Sequence, residues 1–275
     1  MAWRALLVAA GSRTRTVTRR VAAWLLSLIM IAPLLVLGLL SVAVQWRYPS
    51  LWPSAFHHRL WLDLLHDGSA LGLAFLTSGL IAGSVSVLAT VGGLFTSQRV
   101  ARHQHRTALL RLAVLPFAVS PVVMALSLNY GFIRLHGAGT VPGLILAQTL
   151  FAYAYATLLL NSLWSPRMVA LSSLAASLGA SRRQLWTRVR LPLGSAVIGV
   201  CLFQTFLMSW FDFALARIIG AGRVVTLPIK VFEYFGSGDL RLAAATGLLL
   251  MLPPMLMLVL NRKGLAWPLA HEASA

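Results

Sequence analysis

The sequence predicts an all-α integral membrane protein with six transmembrane helices and a two-helix polar loop between the fourth and fifth. Three observations carry this. Of 275 residues, 59% are apolar and 11% charged, with six acids, which is more apolar surface than one soluble core of this size can hide. The apolar residues fall in runs of about 20 or more, the length an α-helix needs to cross a bilayer and too long for barrel strands. The cations also sort by loop. Arg4, Arg13, Arg15, Arg19 and Arg20, then Arg99, Arg102 and Arg106, then Arg167, Arg182, Arg183, Arg188 and Arg190, and finally Arg262 and Lys263 would share one side. The other side would hold Arg47, Arg59, Arg223, Lys230 and Arg241. This three-to-one bias predicts a multi-pass chain with both termini cytoplasmic, and it argues against nucleic acid as the partner of the +17 net charge.

In order, residues 1–20 read as a basic cytoplasmic N-terminus and 21–64 as a first span with an external segment. The first run, 21–44, lacks a small-x-small cleavage site before Gln45 and is expected to be a retained helix. Beyond it, Trp46, Trp52 and Trp61 with Pro49, Pro53, Asp63 and Asp67 suit an interfacial segment with aromatic anchors. Residues 65–260 form the core domain, with spans at 70–95, 108–135, 141–164, 194–218 and 242–260; residues 261–275 form a cytoplasmic tail. Small residues in the second span, Gly72, Gly79, Gly83 and Gly92 with Ser78, Ser84 and Ser86, permit close helix contact. Pro116 and Pro121 predict a kink or break in the third. The stretch His136–Gly143 reads as a tight hairpin, and the glycine-rich stretch 219–241 as a partly re-entrant segment or lid.

The polar loop is the most distinctive stretch. Ser165 and Pro166 start a helix whose Leu171, Leu174, Ala175 and Leu178 recur at helical spacing, and Gly179 fits its C-terminus. Ser181 and Gln184 are spaced as a capping box opening a second helix, with Leu185, Trp186 and Val189 on one face. Pro192 starts the next apolar run.

Catalytic signatures are missing. The sequence has no G-x-x-x-x-G-K-[ST] loop, no H-E-x-x-H and no G-x-S-G, so no catalytic residue and no metal site are assigned and the chain is expected not to be an enzyme. His57-His58 and His103-x-His105 have no carboxylate or thiolate company at metal-binding spacing. Cys201 reads as a small buried residue. Asp212 is the acid that needs an explanation, since a charge at the bilayer centre costs about 2.5–3.5 kcal/mol on insertion scales. It either lines a pathway or gate near Ser209 and Gln204, or pairs with Arg217 at the external interface.

The motif residues Ser173-Leu174-Ala175, Leu178-Gly179-Ala180, then Val189, Leu191 and Pro192 resemble the EAA loop of permease subunits in binding-protein-dependent ABC importers. From Gly179, Val189 is ten residues on and Pro192 thirteen, as in that pattern. Segments Thr77–Arg99, Leu115–Leu128 and Thr226–Phe235 extend the resemblance over roughly 65–260. Ser173 stands where the family has glutamate and Leu174 where it has the first alanine. The resemblance implies a bacterial inner-membrane location and a cytoplasmic coupling loop that docks on a dimer of ABC ATPases. ATP and magnesium would be bound there, leaving no cofactor on this chain. It also implies a second permease subunit, homologous or identical, and a periplasmic solute-binding protein. The stretch from Ser209 to Phe235 is most similar to the spermidine/putrescine, thiamine, ferric iron and 2-aminoethylphosphonate subgroup, with a polyamine narrowly favoured. The rival reading is a self-contained secondary transporter or channel, a class that ordinarily needs ionisable groups in several spans.

Overall fold

The computed structural model describes residues 24–26, 28, 29, 31–44, 53, 55, 56, 61 and 70–260, with side chains through Leu256. The basic N-terminus, most of the external segment and the tail lie outside the described residues. In chain order the elements are α1 (Trp24–Val42), a two-residue antiparallel pairing of β1 (Ala43–Val44) with β2 (Ala55–Phe56), and α2 (Ala70–Ala101). Then come α3 (Arg106–Ala118), α4 (Pro121–Arg134), α5 (Val141–Leu160, continued by a 3-10 turn to Leu163), α6 (Pro166–Ser177), α7 (Arg182–Trp210), α8 (Ala214–Ile219), α9 (Leu227–Gly236) and α10 (Leu240–Leu260).

Among the described residues, four helices are long and apolar enough to cross a membrane: α1, α2, α5 and α7. The bent pair α3–α4 makes a fifth if counted as one span. The architecture is therefore that of an all-α, multi-pass membrane protein with four or five candidate spans. Two expected spans take a different form. The run 108–135 does not merely kink: its halves turn by 95° at Val119 and Ser120, both with extended ψ, because Pro121 disfavours helical geometry in the residue before it. The run 194–218 stops as a helix at Trp210 and restarts at Ala214. The last run forms α10, a helix of 21 residues whose side chains are described through Leu256.

The start of α7 also differs. The second helix of the polar loop does not end before the next apolar run. It continues into it through a π turn, Leu185–Arg190, in which the N–H of Leu191 reaches back to the carbonyl of Trp186. Pro192, which has no N–H, falls just where hydrogen bonding changes from i→i−5 to i→i−4 spacing, so its missing donor does little damage there.

The core is built around α2, which packs along α5 and α7. Its buried positions, among them Ala74, Ser78, Ile81, Ala82, Val85, Ser86, Ala89, Thr90, Gly93 and Ser97, recur every three or four residues, while Leu73, Leu76, Leu80, Val87 and Val91 remain exposed. The contact is close enough to demand glycine at one point. A Cβ on Gly93 would lie 2.6 Å from the Ala156 Cβ and 2.9 Å from its backbone carbon, whereas Gly83 has open space. Polar groups on this interface are satisfied across helices. Ser86 donates to the Leu202 carbonyl at 2.7 Å, and the hydroxyls of Thr90 and Thr205 sit 3.4 Å apart beside the buried Cys201. Trp210 stacks on Phe206, meets Phe75 edge-on and donates its indole N–H to the Leu250 carbonyl at 2.8 Å, fastening α10 to α7.

The hairpin between α4 and α5 forms as its glycines suggest. Gly139 has φ +74°, Thr140 caps α5 by accepting from the Gly143 N–H, and the Gly139 N–H donates to Ile219 on α8 at 2.7 Å. This holds the hairpin at the end of α4 against α8, the short helix that follows Asp212.

Candidate functional site

Two regions concentrate polar side chains between otherwise apolar helices. The first lies where α7 ends. Asp212 sits in the three-residue gap between α7 and α8, just before the N-cap Phe213. Its carboxylate accepts from the backbone N–H groups of Leu215 at 3.4 Å and Ala216 at 3.0 Å, orphan donors at a helix start. From α5, Gln148 donates to the same carboxylate at 2.9 Å and accepts from the Ser209 hydroxyl. Gln148 and Ser209 are both buried, so a polar triad from α5, α7 and the gap is fully bonded inside an apolar surround.

The triad borders a cavity of about 220 Å³ whose other walls include Phe151, Met208 and the α3–α4 break at Pro116, Phe117, Val119 and Pro121. The two prolines that bend the chain also line one wall of the pocket. The lining has one acid and no base.

Of the residues expected here, Asp212 and Ser209 come together and Gln204 does not. Gln204 is partly buried further back along α7 and does not line the cavity. The expected alternative, a pair with Arg217, is replaced by the bonds to Gln148 and α8. Among the described residues the one salt bridge is Lys230–Glu233 at 2.9 Å on α9, where the hydrogen bond from Lys230 to Glu233 holds the ammonium above its usual range. Gln148 was not anticipated. The available signal was a lone amide in the run VPGLILAQTLFAYAYATLLL, a residue that must find partners if it faces the helix bundle.

The second region is the polar loop. Ser165 caps α6 by accepting from the Met168 N–H. At the other end the Ala180 N–H donates to Ala175 and the Gly179 N–H to Ala176, with Gly179 at φ +85°, the bonding of a Schellman cap. Ser181 and Gln184 form the reciprocal capping box. Trp164, whose indole donates to Ser97 at 3.0 Å, anchors the loop to the end of α2.

The loop's motif residues divide by exposure. Leu174 is 58% exposed and Leu178 81%, two large apolar side chains standing out from the C-terminal half of α6. Ser173 is exposed with its hydroxyl bonded back to the Val169 carbonyl at 3.0 Å; Ala175, Ala180 and Val189 are partly buried or exposed at the loop's edge; Leu191 and Pro192 lie on the surface of α7. Among the described residues no three histidine, cysteine or acidic side chains cluster as a metal site. No protein-family model matches this chain, and neither does any curated protein.

Proposed function

We propose that this chain is the membrane-spanning permease subunit of an ATP-driven ABC importer in a bacterial inner membrane. The observation that carries the reading is the loop between α5 and α7. It is an amphipathic helix closed by a left-handed glycine, followed by a capped turn that runs into a long apolar helix, and it presents Leu174 and Leu178 uncovered. Such a unit suits insertion into a groove of a separate ATPase, and its spacing resembles that of the importer permeases. On this reading Ser173 through Pro192 transmit ATPase motion by packing, the chain has no catalytic residue of its own, and a second permease subunit completes the pathway. The cavity beside Asp212 would be this chain's share of that pathway. Its single carboxylate and absence of bases suit a cationic cargo, a polyamine narrowly first with thiamine or iron behind it, over a phosphonate.

The test is co-purification with the ATPase encoded beside this gene. The native chain retains it, and Leu178→Glu, which adds charge where the apolar knob stands, releases it without lowering the chain's own thermal stability. A native chain that binds no ATPase, or moves solute in liposomes without ATP, would sink the reading. The second outcome would instead favour the self-contained transporter or channel, for which the buried Asp212–Gln148–Ser209 triad is the specific support.

A further inference from the structure

The three described acids lie away from the polar loop: Asp212 is with Gln148, Glu233 with Lys230, and Asp239 caps the start of α10 at Leu242. The loop's inner side is by contrast strongly basic. Between the last turn of α2, α6 and the π turn of α7 lie two adjoining cavities of about 270 and 330 Å³ that share Gln98, Arg102, Leu185 and Arg190. Ser172 and Ser173 line one and Arg182 the other. With its amide oxygen turned toward the guanidiniums, Gln98 accepts from Arg190 at 2.8 Å and from Arg102 at 3.2 Å, so two like charges share one neutral acceptor. The Arg190 guanidinium lies over the rings of Trp186 and Trp164, at 5.7 Å from the Trp164 centroid and 5.1 Å from that of Trp186, contacts that favour this position despite the repulsion. Two buried atoms around this space have no hydrogen-bond partner, the Arg190 Nε and the Ser172 hydroxyl. Two guanidiniums on one neutral acceptor, an unbonded hydroxyl and no acid describe a receptor for an anion with several acceptor oxygens.

Position identifies the carrier. The cavities sit where α2, α5 and the apolar part of α7 all begin or end, which for membrane-length helices is headgroup depth. Phe95 packs on Trp186 and is half exposed, and Leu191 and Leu193 stand exposed just beyond Arg190, so apolar surface for acyl chains adjoins the guanidiniums. We propose that this pocket binds the phosphate of an anionic membrane lipid, held by Arg102, Arg182 and Arg190 and by the Ser172 hydroxyl. The bound lipid ties the end of α2 to the polar loop. This site does not depend on the importer reading.

The test is the apparent Tm of the full chain in mixed micelles of detergent with phosphatidylglycerol or with phosphatidylcholine, and in detergent with inorganic phosphate alone at matched ionic strength. Phosphatidylglycerol is expected to raise Tm by ~3 °C or more over phosphatidylcholine. Arg102→Gln should lose at least half of that difference. Ser173→Glu, which puts a carboxylate into the pocket wall, should abolish it while leaving Tm in phosphatidylcholine at or above that of the native chain. Arg167→Gln, an exposed cation on the same loop outside the pocket, should keep the whole difference. Equal Tm in the two lipids, or a difference that survives Arg102→Gln and Ser173→Glu, or one that Arg167→Gln reduces as much, would overturn the site. Protection by inorganic phosphate equal to that by phosphatidylglycerol would overturn the lipid as the carrier.

Discussion

Gln148 shows how much can rest on one side chain. It spends its donor on Asp212 and its acceptor on Ser209, so it stands between two groups that would otherwise face an apolar wall. Replacing it with Leu leaves the carboxylate without its side-chain donor and the hydroxyl without an acceptor, at about 1–3 kcal/mol for each group stranded. Thermal denaturation should therefore place Gln148→Leu well below the native chain. Asp212→Asn should cost less in the Gln148→Leu background than alone, because a carboxylate that has lost its Gln148 donor is already poorly satisfied and a neutral amide is stranded there at lower cost. Additive losses in that cycle would show that the two side chains do not act as a unit. The sequence made Asp212 conspicuous because an acid in an apolar run has few places to go. It offered no means of choosing Gln148 over Arg217 as partner, since the choice depends on α5 lying across α7 at a residue 64 positions earlier.

Helix contacts were legible in kind and less so in place. A run of small residues announces that α2 packs closely, yet the position that tolerates nothing larger is Gly93, set by Ala156 on the distant helix α5. Gly93→Ala should destabilise the chain by roughly 1–3 kcal/mol, the range for overpacking a filled interface. Pairing it with Ala156→Gly should restore part of the loss, because the methyl at 2.6 Å is gone while the backbone carbon at 2.9 Å remains. Full restoration or none, read from thermal melts, would contradict this geometry. Caps were the most local features and the most readable: Ser165, Gly179, Ser181 and Gln184 each do what short-range chemistry requires of them. The π turn was hidden, because proline at position 192 ordinarily argues for a new helix, and only the wider turn before it lets the old one continue.

At the scale of the molecule, composition predicts the class, and the described helices supply four or five candidate spans. Long apolar runs require helices, but whether a run crosses straight depends on breaks such as Val119–Ser120 and Phe211–Phe213 that redirect the chain. The arrangement has a topological consequence. Leu178 and Ser237 flank α7 and the short helices after it, with one candidate crossing between them, so they should face opposite sides of the membrane. With Cys201, which is buried, replaced by Ala, a membrane-impermeant maleimide should label Ser237→Cys in right-side-out vesicles and Leu178→Cys only in inverted ones. Labelling of both from one side would remove α7 as a crossing.

The continuity of α7 has a mechanical meaning. Its 29 residues make a rod about 43 Å long, with the glycine-closed loop at one end and the Asp212 cavity at the other. On the importer reading, a tilt of about 5° around the middle of that span would carry its ends roughly 2 Å in opposite directions. The two polar regions, remote in sequence and different in chemistry, would then be the two arms of one rocker.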